Sequence, residues 1–173
     1  MKKVVITGPP FAGKSAVIKD LEDKGYKVEY ETAREVLNVL RNMNFKDPHK
    51  ERRDLFQKEV LRFQLEKESR KCESSLIFYE RGIIDNLAYY HLDKIQPPEE
   101  LVFLSKIRRY DVVFYFEPIP KEKVGRSRLD ERERMLLESL IFNSYLDCGY
   151  TPIRVPVLSV EDRTNLILRE VMK

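Results

Sequence analysis

Residues 8–15 read Gly-Pro-Pro-Phe-Ala-Gly-Lys-Ser, which fits the pattern G-x-x-x-x-G-K-[ST]. The apolar run Lys3-Val4-Val5-Ile6-Thr7 precedes it, and Ala16-Val17-Ile18-Lys19-Asp20-Leu21 follows with helical spacing. Strand, glycine-bearing loop and helix in that order make a phosphate-binding P-loop. The loop N–H groups and the helix N-terminus then converge on one point and suit an anion. Gly8 and Gly13 let the backbone come close to phosphate oxygens. Lys14 is expected to reach the β- and γ-phosphates and the Ser15 hydroxyl to hold Mg²⁺. Gly8, Ala12, Gly13, Lys14, Ser15 and Ala16 are the candidate nucleotide-binding residues, with Lys14 also catalytic.

The rest of the chain alternates strand and helix, which predicts an α/β fold with a parallel sheet covered on both faces. Strands are expected at 3–7, 26–30, 75–80, 111–116 and 153–155. Helices are expected at 14–24, closed by Gly25, and at 32–43. Pro48 opens a longer one predicted to run to Glu73, with Leu55, Phe56, Val60, Phe63 and Lys67 along one side. Pro97-Pro98 precedes a helix to about Arg109, another ends near Gly149, and Ser159-Val160-Glu161-Asp162 reads as a capping box for the last. No repeat, linker or low-complexity segment divides the 173 residues, so one nucleotide-binding domain is expected over 1–173.

Composition narrows the partners. A net charge of +3 is too small to argue for nucleic acid, and there is no run of about 18 apolar residues to span a membrane. The first strand follows Met1-Lys2 at once, so no cleaved leader is expected. Cys72 and Cys148 form no C-x-x-C pair and have only His49 and His91 as company, which predicts reduced thiols in a cytoplasmic protein rather than a metal site.

Three further segments carry candidate chemistry. Glu80 ends the third strand, where an acidic residue can orient Mg²⁺, so Ser15 and Glu80 are the candidate metal residues. Arg81 follows; it either steadies an anionic group or is tied to a neighbouring carboxylate. Glu31 comes just after the second strand, and in an open parallel sheet ligands bind beyond that edge. It can take a proton from an acceptor hydroxyl, or serve only the dipole of the helix it opens; Arg34, three residues on, shares its face. Residues 121–134 hold many arginines. Some have acidic partners at helical spacing, as Asp130 has Arg134, but Arg126 and Arg128 precede the helix beside Gly125. They are the candidates for a lid at 118–134, with Arg128 taken as the catalytic one.

The P-loop, Glu31-Thr32-Ala33-Arg34-Glu35 and Phe78-Tyr79-Glu80-Arg81-Gly82-Ile83-Ile84-Asp85 with Ala88-Tyr89, joined by Tyr110-to-Phe114 and Gly149-Tyr150…Val155-Pro156-Val157, form a set. That set resembles the P-loop kinases related to the ribosylnicotinamide kinase domain of NadR and the AAA-like single-domain ATPases classed with it. Glu80-Arg81 is also similar to the acidic–Arg pair of thymidylate and deoxynucleoside kinases. The resemblance implies a three-layer P-loop NTPase fold with sheet order 2-3-1-4-5, and transfer from ATP or GTP with Mg²⁺ to a small nucleoside- or nucleotide-like acceptor. It makes Glu31 the base or substrate anchor, and puts Arg81 and Asp85 in the acceptor pocket, which Arg34 and Tyr89 would complete. Phe11, bulky where relatives carry a small residue, and Pro9-Pro10 depart from the pattern. The competing reading is a nucleotide-dependent ATPase or GTPase switch acting through a partner, although no N-K-x-D guanine motif occurs. Tyr30, Tyr89 and Tyr90 are candidate stacking aromatics, or core.

Overall fold

Val4, Val5 and Ile6 are fully buried, and their alternation explains the architecture. Val4 and Ile6 point to one face of a sheet and Val5 to the other, each into its own apolar cluster. The computed structural model describes residues 1–71, 73–107, 110–120 and 129–173. The five strands are β1 (Lys2–Thr7), β2 (Lys27–Glu29), β3 (Leu76–Glu80), β4 (Val112–Phe116) and β5 (Ile153–Val155). All are parallel, in the order β2-β3-β1-β4-β5. Ile6 lies opposite Glu80 and Thr7 opposite Tyr115, so Gly8, Glu80 and Phe116 meet at the carboxyl edge of the sheet.

Helices α1 (Lys14–Asp23) and α8 (Val160–Val171) cover the Val4/Ile6 face, through Val17, Ile18, Leu21 and Ile167. On the Val5 face lie α5 (Ile83–Leu92), α6 (Glu99–Ile107) and α7 (Glu131–Asp147), joined through Ile84, Leu101 and Tyr145. Beyond β2 and β3, α2 (Thr32–Asn42) and α4 (Arg53–Ser69) meet over Val36, Leu40 and Phe56, with the short α3 (Pro48–Glu51) before α4. No helix among the described residues is long and apolar enough to cross a membrane.

Several elements differ from the sequence expectation. The helix from Pro48 is broken at Arg52, whose φ of −148° and ψ of 65° are non-helical, and α4 ends at Ser69. The buried face of α4 is also polar: Gln57, Leu61, Gln64 and Glu68 are enclosed, while Leu55, Val60 and Phe63 are only partly covered. Helix α5 was not expected at all. Its run Ile83-Ile84-Asp85-Asn86-Leu87-Ala88-Tyr89-Tyr90 lacks a polar stripe because the helix sits between the sheet and α7. Asp130 caps α7 by accepting from the Glu133 N–H, and Arg134 pairs with Glu131 rather than Asp130. Ser159 caps α8 through the Asp162 N–H, as its sequence suggests. Cys148 is buried in the core on the Val5 face, and Cys72 lies outside the described residues.

Candidate active site

The P-loop crosses the carboxyl edge of β1. Gly8 has φ +135°, and a Cβ there would lie 2.5 Å from the Phe116 carbonyl oxygen, so strand β4 leaves no room for a side chain. Phe11 is also left-handed, at φ 62°, with half its side-chain surface exposed. A bulky residue held there stores strain, which marks the loop as over-determined by its surroundings. The Ala12 side chain packs into the core, so its part in the loop is played by its backbone.

Lys14 is buried, and its Nζ donates to the carbonyls of Gly8 (3.1 Å) and Pro9 (2.7 Å). Burial, then the nearby Arg81 charge, lower its pKa to about 7, despite Glu31, Glu80 and Asp85. Ser15 Oγ donates to Glu80 Oε1 at 2.6 Å and accepts from Arg34 Nη2 at 2.8 Å. Glu80 Oε2 is buried with no hydrogen-bond partner among the described residues. A hydroxyl and a carboxylate side by side, with one orphaned carboxylate oxygen, suit a hard divalent cation that keeps most of its waters. The residues therefore fit Mg²⁺.

Arg81 is the centre of the site. Its backbone is left-handed, at φ 71°, and its N–H donates to the Ile6 carbonyl. Nε donates to Glu31 Oε1 at 2.6 Å; Nη1 donates to Asp85 Oδ1 at 2.9 Å and to the Gly8 carbonyl at 3.1 Å. The guanidinium stands 5.2 Å from the centre of the Tyr89 ring. Of the two readings open for Arg81, the ion pair is the one observed. Burial opposes charge on Glu31, but Arg81 and Lys14 outweigh it and hold the carboxyl at about 2. Arg34 Nε is 3.4 Å from the same carboxylate.

Asp85 borders the site cavity but is buried, with both carboxylate oxygens engaged. Its two oxygens accept from Thr7 Oγ1 (2.6 Å), Tyr145 OH (2.6 Å), the Gly82 N–H (3.0 Å) and Arg81. It fixes Arg81 from below. Beside it, Tyr110 OH accepts from the Ile83 N–H and donates to Glu68 Oε1, both at 2.8 Å. A Cβ on Gly82 would lie 2.7 Å from that hydroxyl. Gly82→Ala is therefore expected to displace Tyr110 and cost about 1–3 kcal/mol, a fall in Tm of roughly 2–4 °C per kcal/mol. Thermal unfolding by circular dichroism checks this; an unchanged Tm would mean the ring can give way.

One cavity of about 760 Å³ joins these groups. It opens from Gly13, Lys14, Ser15 and Ala16, passes Glu31, Arg34, Glu80 and Arg81, and continues between α2, α4 and α5. Leu37, Phe56, Val60 and Leu92 give the far half apolar walls, and Tyr89 lines it. Tyr30 instead bonds Glu22, and Tyr90 is core. Sequence reasoning missed Gln57 and Asp93, which face the far end joined at 2.8 Å, with Arg53 Nη1 3.3 Å from Asp93. The one available signal was that two of only three glutamines, Gln57 and Gln64, stand seven residues apart on one helix. Leu129 and Glu133, before and within α7, reach the cavity. Arg126 and Arg128 lie outside the described residues.

A family model described as an AAA domain matches residues 3–163. No curated protein matches the chain by sequence. Among solved structures, deoxyadenosine kinase from M. mycoides, determined with dCMP and dCDP, superposes with a TM-score of 0.71 at 20% identity over 98% of both chains. NadR protein in complex with NR gives 0.69 at 19% identity, over 98% of this chain and 50% of the other. Shikimate kinase from Acinetobacter baumannii, with shikimate, gives 0.62 at 17% identity, over 99% of this chain and 93% of the other. Loop, strand order and family model thus agree over nearly the whole chain, and the protein, built on a P-loop kinase fold, belongs to the AAA-domain family.

Proposed function

We propose that the protein transfers the γ-phosphoryl group of ATP or GTP, with Mg²⁺, to the hydroxyl of a small nucleoside-like acceptor. The observation that carries this reading is the single cavity running from the P-loop to an apolar compartment, with an ionised Glu31 at the junction. A hydrolase needs room only for water. A cavity of about 760 Å³ with Gln57 and Asp93 at its far end is proportioned for a second ligand.

In this reading Ser15 and Glu80 would hold Mg²⁺, which would supply charge neutralisation during phosphoryl transfer. Lys14 leaves the Gly8 and Pro9 carbonyls for the phosphates. Glu31 accepts a hydrogen bond from the acceptor hydroxyl and takes its proton as the bond to phosphorus forms. Arg81 and Asp85 act as positioning residues that keep Glu31 ionised and aimed. Arg34, with 62% of its side chain exposed, is free to follow the phosphates, and Arg128 remains the proposed lid cation.

Lys14→Ala is expected to abolish the thermal stabilisation by Mg-ATP, about 2.7 kcal/mol for the wild type at a ligand excess of about 100 Kd. Retained stabilisation would sink the P-loop assignment. Because burial lowers the Lys14 pKa to about 7 and a neighbouring triphosphate favours its charged form, Mg-ATP binding at about pH 8 should take up about one proton. Calorimetry in buffers of different ionisation enthalpy measures it; zero uptake would mean that Lys14 keeps one protonation state throughout. Transfer itself is tested with Mg-ATP and Mg-GTP against pooled nucleosides, nucleoside monophosphates and nicotinamide riboside, with Lys14→Ala as the blank. Binding with slow hydrolysis and no transferred phosphate would reassign the protein to a switch acting through a partner.

A further inference from the structure

A P-loop whose N–H groups all face one anion turns its carbonyls outward, and those oxygens need donors of their own. Lys14 serves Gly8 and Pro9, and Arg81 also serves Gly8. When a triphosphate draws Lys14 away, Arg81 still holds Gly8, at the start of the loop. The other end is held by a residue that nothing in the motif announces. Arg163 Nη1 donates to the Ala12 carbonyl at 2.6 Å and Nε to the Pro156 carbonyl at 2.9 Å.

Arg163 lies in the first turns of α8, yet it is only 2% exposed. Its guanidinium stands 4.9 Å from the centre of the Phe116 ring, and a Cβ on Gly13 would lie 3.0 Å from its Nη1. Nη2 is buried without a hydrogen-bond partner among the described residues, and Glu117, the carboxylate that favours its charge, acts more weakly than the burial that opposes it. A buried cation with a donor left open is costly, and its retention calls for an anion close by. Gly13, against which it is pressed, is the left-handed residue (φ 84°) that turns the loop into α1 and aims the loop's amides.

We propose that Arg163 is a positioning residue for triphosphate binding. It holds the Ala12 carbonyl outward, fixes the turn at Gly13, and lends its charge to the field the phosphates enter. This role rests on the triphosphate reading of the P-loop, but not on any acceptor or on transfer.

The test compares Arg163→Met and Arg163→Lys with wild type in binding of Mg-ATP and of Mg-tripolyphosphate, at a temperature where circular dichroism shows all three folded. Arg163→Met should weaken both ligands by the same factor, about 10- to 100-fold, the range for a lost hydrogen bond to a charged group. Arg163→Lys, which keeps the charge and one donor, should recover most of that loss. A lowered Tm with both affinities unchanged would make Arg163 structural and overturn the role. Weakening of ATP alone would overturn it in favour of a contact to the base. Wild-type protein that binds neither ligand would remove the triphosphate reading itself, and this role with it. Should Arg163→Met not fold, Arg163→Gln, which loses the charge and keeps a donor, takes its place: equal weakening of both ligands supports the role, and unchanged affinities overturn it.

Discussion

Glu31→Gln is expected to reduce phosphoryl transfer by about 10²–10⁴-fold, the usual range for a lost general base, while Mg-ATP affinity changes little. The substitution keeps the shape, and an amide oxygen still accepts the Arg81 Nε–H, so the ion-pair geometry has a substitute. What it removes is the anion that would accept the acceptor's proton. A carboxylate held at about 2 is a weak base in bulk terms. A loose phosphoryl transition state asks for little proton transfer until late, however, and positioning then weighs more than basicity. Glu31 is already ionised above about pH 4, so any acid limb of the rate profile at higher pH belongs to another group. Single-turnover transfer and equilibrium ATP binding, measured side by side, decide the matter: if both fall together, Glu31 is part of the scaffold.

Arg81→Met should be the most destabilising substitution in the site, by about 3–5 kcal/mol, because it leaves the buried Asp85 and the partly buried Glu31 without the guanidinium they share. The effect depends on pH with a definite sign. In the folded wild type Glu31 sits near 2 instead of 4.5, so on acidification the unfolded chain takes up the proton first. The stabilisation is fully present above about pH 4.5 and disappears as the pH falls toward 2. Without Arg81, burial is left as the main influence on Glu31 and raises its pKa. Protonation then relieves the variant instead of harming it. Denaturant titrations at about pH 7 and about pH 3 should show the gap between wild type and variant narrowing at the lower value. A gap that stays constant would mean Arg81 stabilises by packing rather than by charge.

How far the sequence could be read depended on whether a residue's role was local. The P-loop, the strand ends at Glu31 and Glu80, and the cap at Ser159 are set by neighbours a few positions away, and all were legible. Helix α5 was not, because a helix enclosed on all sides loses the polar stripe that announces one. The break at Arg52 falls where no proline or glycine marks it. Arg81 and Asp85 were legible as important but not in kind. That Arg81 is locked to Glu31 and Asp85 follows from 50 and 4 residues of separation, the first closed only by the sheet. Asp93 and Arg163 gave no local signal, and Gln57 none beyond the scarcity of glutamine in the chain. Each looks like an ordinary polar residue of an amphipathic helix until the fold turns it toward the cavity or the loop.

The place of β1 at the centre of the sheet also has a consequence for how the chain acquires its structure. Its first residues pair with Leu76 on one side and Val112 on the other, so neither edge of the first strand can be satisfied by anything near it in the chain. Such distant parallel pairings close large loops before they return any contact energy, and folding is slow in proportion. During synthesis the P-loop therefore emerges ahead of β3 and β4, the strands that support it. A growing chain that stops short of β4 has a complete phosphate-binding motif and no framework to hold it.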